Sequence, residues 1–312
     1  MSKKINLYWY QHKQGYGNFG DELNPYIIER LTYKKVKFIN IKYLFDDRWL
    51  AFKTISKAIL RKEINVFTYL QYIFYNFIKM PEVLLVIGSI LETSNSSKNK
   101  IWGAGFISSK TKKVSGTFYA VRGLRTVQKL REMGNNAPDA IGDPALLLPI
   151  IYQPKVKAQN KIGIIPHYQH YLELKDKFGE EFTVINLLDP IEKVIDEISS
   201  CTITYSTSLH GIIVSHAYQV PSLWAEFPGL TFTRLVGDNI KFFDYFSSVG
   251  ISDYSPLEFT NLEKDCFSRV ITNELKSNLL PTFEMIQKRQ ADLLLTAPFE
   301  VIDKYRSIER YE

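Results

Sequence analysis

Thr204-Tyr205-Ser206-Thr207-Ser208-Leu209-His210-Gly211 ends an apolar run on three hydroxyls and sets a histidine at the head of a helical pattern. Imidazole is the side chain whose ordinary pKa lets it give or take a proton near neutrality. At the positive end of a helix dipole its charged form is disfavoured, and a bound phosphate reverses that preference. The pattern suits proton transfer beside an anionic ligand. Ser208 is placed to cap the helix, and Gly211 to admit a close approach by ligand or strand. Ser206, Ser208 and Leu209 complete the turn. No acid is identified to orient a Ser–His pair, and Gly-x-Ser-x-Gly is absent, so the hydroxyls read as neutral donors to phosphate. A packed histidine bonded to backbone is the competing reading of His210. His216, six residues on, falls on another helix face and is structural.

Other apolar runs close in the same way, at Gly88-Ser89, Gly103-Ala104-Gly105, Arg122-Gly123 and Pro166-His167. Arg122 directly follows its run, and the planar guanidinium donors match phosphate or carboxylate in pairs. Arg125 is a second such residue, or a solvated helix residue. His167 and His170 line an acceptor pocket or sit on its rim. In Gly15-Tyr16-Gly17-Asn18-Phe19-Gly20-Asp21-Glu22 the glycines leave amide N–H groups for an anion at a helix start. Asp21 is open between satisfying orphan amides and holding a substrate hydroxyl. Asp143 in Gly142-Asp143-Pro144-Ala145 reads as a turn or cap residue. The spacing is not that of a dinucleotide fingerprint. No lysine-bearing phosphate loop, His-Glu-x-x-His or calcium loop is present, and no metal is expected.

Positioning these groups requires strands alternating with helices. Strands are expected over Lys4–Tyr10, Val36–Ile41, Val83–Ile87, Lys100–Trp102 and Thr117–Val121, with a helix over Leu124–Met133. The aromatic and basic section up to Lys79 reads as two helical pieces. After a linker at Tyr152–Gln159, strands are expected over Lys161–Ile165, Phe182–Leu187, Thr202–Tyr205 and Val220–Ala225. Helices are expected over Ile191–Ile198, Leu209–Tyr218, Asp238–Ser247, Leu262–Ser277 and Thr282–Leu294. This alternation predicts an α/β protein of two Rossmann-like domains whose parallel sheets face a cleft. The boundaries are 1–153, carrying Arg122 on the acceptor side, and 160–280, carrying His210. Residues 281–312 form a helical segment that could pack back on the first domain.

At 312 residues, 45% hydrophobic and 23% charged, the chain is a folded protein large enough for two cores. A formal charge of +6 favours anionic partners. The basic residues are scattered, so nucleic acid is not expected. Two cysteines, and a charged Met1-Ser2-Lys3-Lys4-Ile5 running straight into a strand, point to the cytoplasm rather than a secreted fold. Ile64–Met80 is too short and polar to span a bilayer. With Lys53, Lys57, Arg61, Lys62 and Lys79 around it, the region 53–80 is either a core helix or a contact with an anionic membrane surface.

The ordered set Asn18-Phe19-Gly20-Asp21-Glu22, Val86-Ile87-Gly88-Ser89, Trp102-Gly103-Ala104-Gly105, Val121-Arg122-Gly123, Gly142-Asp143-Pro144-Ala145 and Ser208-Leu209-His210-Gly211 resembles the polysaccharide pyruvyl transferase family, over about residues 5–250. The chain departs from the pattern at Gly123, where an acidic residue is common, and in the aromatic stretch between Ile41 and Pro81. The resemblance implies a GT-B-like pair of domains and transfer of pyruvyl from phosphoenolpyruvate to two hydroxyls of one sugar, with no cofactor required. It implies that Arg122 holds phosphoenolpyruvate, that His210 is the essential histidine and Asp21 the early acid. Asn18, Gly20, Gly88, Ser89, Gly103, Gly105, Arg125, His167, Ser206, Ser208, Leu209 and Gly211 would then line the substrates. The acceptor would be a sugar or lipid-linked oligosaccharide of a surface polysaccharide. A nucleotide-sugar glycosyltransferase of the same shape and a non-catalytic carbohydrate-binding assembly protein are the alternatives.

Overall fold

Continuous apolar runs bounded by glycine and proline make short strands buried on both faces. The computed structural model describes residues 4–11, 17–111, 113–156, 159, 161–230, 238–259 and 279–306. Its first lobe runs β1 (Ile5–Tyr8), α1 (Phe19–Thr32), β2 (Val36–Phe38), α2 (Arg48–Leu60), α3 (Val66–Phe77), β3 (Val83–Leu85), β4 (Asn95–Trp102), β5 (Ser115–Ala120), α4 (Leu124–Glu132) and α5 (Leu148–Ile151). The second runs β6 (Ile162–Ile165), α6 (Tyr171–Phe178), β7 (Thr183–Val184), α7 (Ile191–Ser199), β8 (Ile203–Ser206), α8 (Leu209–Ala217), β9 (Ser222–Glu226), α9 (Ile240–Ser248) and β10 (Leu257–Glu258). The helices α10 (Phe283–Leu295) and α11 (Asp303–Arg306) follow.

Each lobe has one five-stranded sheet, ordered β2-β1-β3-β4-β5 and β10-β9-β8-β6-β7, with every pairing parallel. Read from its own first strand, the second order is the same as the first. The two lobes therefore repeat a doubly wound topology that no sequence repeat announces.

The largest apolar cluster is continuous across both lobes, joining Leu7, Ile87 and Trp102 to Ile165, Trp224 and Phe242. Hydrogen bonds cross the same seam, from Phe19 N to Leu187 O (3.1 Å) and from Ser109 N to Asp238 Oδ2 (2.9 Å). The lobes are thus packed together along much of their meeting face. The described C-terminal segment touches both lobes: Trp102 Nε1 donates to Leu293 O (2.9 Å) and Phe299 packs edge-on to the Trp102 ring in the first, and Arg289 Nε donates to Ser248 O (2.6 Å) in the second.

The structure shortens one expected strand and adds two elements. The strand expected over Phe182–Leu187 forms only at Thr183–Val184, and β10 and α6 were not anticipated. The expected helix over Leu262–Ser277 lies outside the described residues. The aromatic segment does form two helices, and α3 places Tyr72 in the core of the first lobe and buries Asn76 while leaving Phe67, Leu70 and Phe74 exposed.

Candidate active site

Strand order reverses between β1 and β3 in one sheet and between β6 and β8 in the other. Open parallel sheets take ligands outside the C-terminal ends of strands at such a reversal. These four ends lead into Asn18–Asp21, Gly88-Ser89, His167 and Ser206–Gly211, so most residues singled out from the sequence share one edge.

His210 is the second residue of α8, its side chain 13% exposed. A Cβ placed on Gly20 would lie 2.0 Å from His210 Nδ1, so the imidazole of one lobe rests directly on the α1 backbone of the other. Its Nε2 is 3.9 Å from Asp143 Oδ2, too long for a hydrogen bond. Both atoms are buried and without a hydrogen-bond partner. Burial, then the positive fields of Arg122 and Lys241, push the His210 pKa down to about 3, so the ring is neutral. Burial pushes the fully enclosed Asp143 up to about 7. The cap reading of Asp143 accounts for Oδ1, which accepts from Ala145 N at 3.0 Å, and leaves Oδ2 facing the histidine.

The hydroxyl cluster is used differently from the expectation. Ser206 Oγ donates to Ile165 O at the β6 end (2.9 Å) and, within its own turn, accepts from Ser208 N (3.0 Å). Thr207 Oγ1 accepts from His167 N (2.7 Å), which ties the β6 end to the β8 end. Ser208 sits at the N-cap position, but its side chain makes no cap bond. Of the three hydroxyls, that of Ser208 is the one left to meet a ligand. Gly211 admits close packing of Ser206 Oγ, 2.4 Å from where a Cβ would stand.

Arg122 is 1% exposed rather than open to a ligand. Its Nε bonds Asp244 Oδ2 (3.0 Å), Nη1 bonds Ser89 Oγ (2.7 Å) and Nη2 bonds Phe106 O (2.7 Å), which engages three of five N–H donors. Gly105 makes room, since a Cβ there would stand 2.5 Å from Arg122 Cζ. Gly88 and Gly103 turn their strand ends with φ of 114° and 102°. Arg125 pairs with Asp253 at the exposed side of α4, so the structure does not bring it to His210. The sequence reading missed both Asp244 and Lys241. Lys241 opens α9, and among the described residues no carboxylate pairs with its ammonium. Burial, then Arg122, lower its pKa to about 8. Asp244 offsets the Arg122 charge, and Lys241 has no such partner among the described residues.

The family model for polysaccharide pyruvyl transferase matches residues 18–225, a span holding nearly all of these groups. The chain belongs to that family. Membership carries the enzymatic class, phosphoenolpyruvate-dependent pyruvyl transfer that forms a cyclic ketal on a polysaccharide. The uncharacterized protein L143 of Acanthamoeba polyphaga mimivirus is 30% identical over 208 residues, 62% of this chain and 71% of that protein. No solved structure matches the chain.

In this pyruvyl transferase Asp21 is the third residue of α1, next to the glycine that carries His210. Burial, then Glu22, raise its pKa to about 7, with Asn18 working against them. Its placement depends on two residues that drew no notice in the sequence. Pro25 cannot donate to the Asp21 carbonyl four residues earlier. Asn24 Nδ2 takes that carbonyl instead (3.0 Å), while its Oδ1 accepts from Ile87 N (2.8 Å). One buried amide thereby locks the Asp21 turn to the β3 end. Among the described residues, no group of three or more His, Cys, Asp or Glu could hold a metal ion.

Proposed function

We propose that this pyruvyl transferase builds its ketal on a sugar or lipid-linked oligosaccharide of a surface or capsular polysaccharide precursor. The observation that carries the residue roles is the neutral His210 imidazole, resting on Gly20 and facing the unbonded Asp143 oxygen in the field of Lys241 and Arg122. Phosphoenolpyruvate brings negative charge to that field and raises the His210 pKa, so the ring takes up a proton. Lys241 and the Ser208 hydroxyl hold its phosphate and carboxylate, while the enclosed Arg122 acts on them through its positive field.

The imidazolium then protonates the methylene carbon, making C2 electrophilic, while Asp143 stabilises the charged ring. Asp21, with a pKa near the working pH, accepts the proton of the first sugar hydroxyl as its oxygen bonds to C2. The C2–O bond to phosphate breaks, and the second hydroxyl closes the ring on C2. Its proton leaves with the phosphate, so phosphoenolpyruvate and a diol yield a ketal and inorganic phosphate. Asn18, Gly20, Gly88, Ser89, Gly103, Gly105, His167, Leu209 and Gly211 shape the crevice.

The enzyme works in the cytoplasm, against the inner face of the cell membrane, which residues 53–80 would contact. Incubation with phosphoenolpyruvate and galactose-, mannose- or N-acetylmannosamine-containing acceptors should release phosphate and add the mass of one pyruvic acid less one water. Thermal stabilisation by nucleotide sugars, with no phosphate release, would favour a glycosyltransferase instead.

A further inference from the structure

We infer that α2 and α3 form a hairpin that docks flat on an anionic phospholipid bilayer. This rests on the membrane placement proposed above and extends it to a defined face and orientation. Isolated exposed apolar side chains are ordinary, whereas a concentration of them is not. More than half of the exposed large apolar side chains among the described residues fall between residues 49 and 78.

On α3, Phe67, Leu70 and Phe74 recur three and four residues apart, which lines them along one side of the helix. Phe67 is 86% exposed, so that side faces solvent. The opposite side is fixed by polar groups. Asn76 accepts from Phe45 N (2.9 Å) and donates to Tyr43 O (2.8 Å), and Tyr72 Oη accepts from Asn40 N (3.0 Å). A helix on an ordinary protein surface buries its apolar face; this one is anchored with that face outward. On α2 Ala51, Ile55 and Ala58 are buried, while Trp49 and Phe52 stack with each other in the open, their centroids 6.3 Å apart.

Charge selects the occupant. Between residues 48 and 79 the basic side chains are Arg48, Lys53, Lys57, Arg61, Lys62 and Lys79, against Glu63 as the sole acid. Glu63 is itself paired with Lys42 at 3.5 Å. Aromatic and leucine side chains flanked by lysine and arginine are the composition of an interfacial helix, and anionic headgroups attract each basic residue. No helix among the described residues is long and apolar enough to cross a membrane. The hairpin would lie on the bilayer and bring the enzyme to an acceptor carried on lipid.

Trp49 provides the readout. It is 74% exposed, whereas Trp9, Trp102 and Trp224 are buried. Without any substrate, vesicles of equal parts phosphatidylglycerol and phosphatidylcholine should shift Trp49 emission to shorter wavelength, with quenching by brominated acyl chains. Pure phosphatidylcholine should bind far more weakly, with about fivefold affinity lost per basic residue replaced by Gln. Phe67→Ser with Phe74→Ser should weaken vesicle binding on the order of tenfold or more. The same variant should keep its unfolding temperature and its turnover on a water-soluble acceptor. An unchanged emission spectrum with anionic vesicles overturns the proposal, as does equal binding to both lipids. A concentration-dependent dimer, lost in Phe67→Ser and indifferent to lipid, also overturns it, because a second copy then covers the face. Vesicle binding by a protein that releases no phosphate leaves the docking standing and removes the chemical reading instead.

Discussion

Lys241 and His210 share one electrostatic fate, because each is buried and each sits near Arg122. With a free-enzyme pKa of about 8, Lys241 loses its charge as pH rises through that value. kcat/KM for phosphoenolpyruvate, which reports the free enzyme, should therefore fall above about pH 8. Lys241→Met should lower kcat/KM by about 10- to 100-fold, the worth of one charged hydrogen bond, and erase that limb. Lys241→Arg should restore binding and move the limb out of range. Asp143 gives a stability test of opposite kind. Its folded pKa of about 7 lies above the ordinary 3.8, so its contribution is full below pH 4 and is lost as pH rises through 7. Asp143→Asn keeps a capping oxygen for Ala145 and removes the buried charge. Relative to the parent, its melting temperature should be higher at pH 8 than at pH 5, read by calorimetry across that window.

At the scale of elements, the contact between α1 and α8 sets the geometry of the reacting groups. Gly20→Ala would put a methyl group 2.0 Å from the His210 ring, which must then swing away. The expected result is a loss of kcat of about a hundredfold, within the usual range for a displaced general acid, with little change in melting temperature. Equal kcat in the variant would show that His210 has no part in proton transfer. The expectations of two helical pieces up to Lys79 and of a helix over Leu209–Tyr218 survived in the structure because periodicity and caps are local signals. Asp47 and Asn65 cap α2 and α3 by accepting from Leu50 N (3.0 Å) and Thr68 N (2.8 Å). What periodicity could not say is which side of α3 turns inward. That choice belongs to Asn76 and Tyr72 and to backbone atoms about 30 residues earlier.

Over the whole molecule, Asp244 joins the lobes. It is fully buried and accepts from Arg122 Nε, from Thr126 N (2.8 Å) and from Thr126 Oγ1 (2.7 Å), all on the other lobe. Asp244→Ala leaves the buried Arg122 guanidinium without its counter-charge and the Thr126 amide without an acceptor, which costs on the order of 3–5 kcal/mol. A fall in melting temperature of at least several degrees should follow, with Asp244→Asn intermediate and showing a raised KM for phosphoenolpyruvate. An Asp244→Ala protein as stable as the parent would mean that the shared apolar cluster alone holds the lobes together.

The chain order by itself determined the α/β alternation, the strand ends where chemistry collects, and the residue types His210, Asp21 and Arg122. Those depend on hydrophobic runs and turn residues within short windows. Tertiary structure decided the rest. It turned Arg122 into a bridge to Asp244, sent Arg125 outward to Asp253, left Lys241 without a carboxylate partner among the described residues and set His210 neutral. Burial and electrostatic fields sum over side chains more than a hundred positions apart, and no local pattern carries that sum.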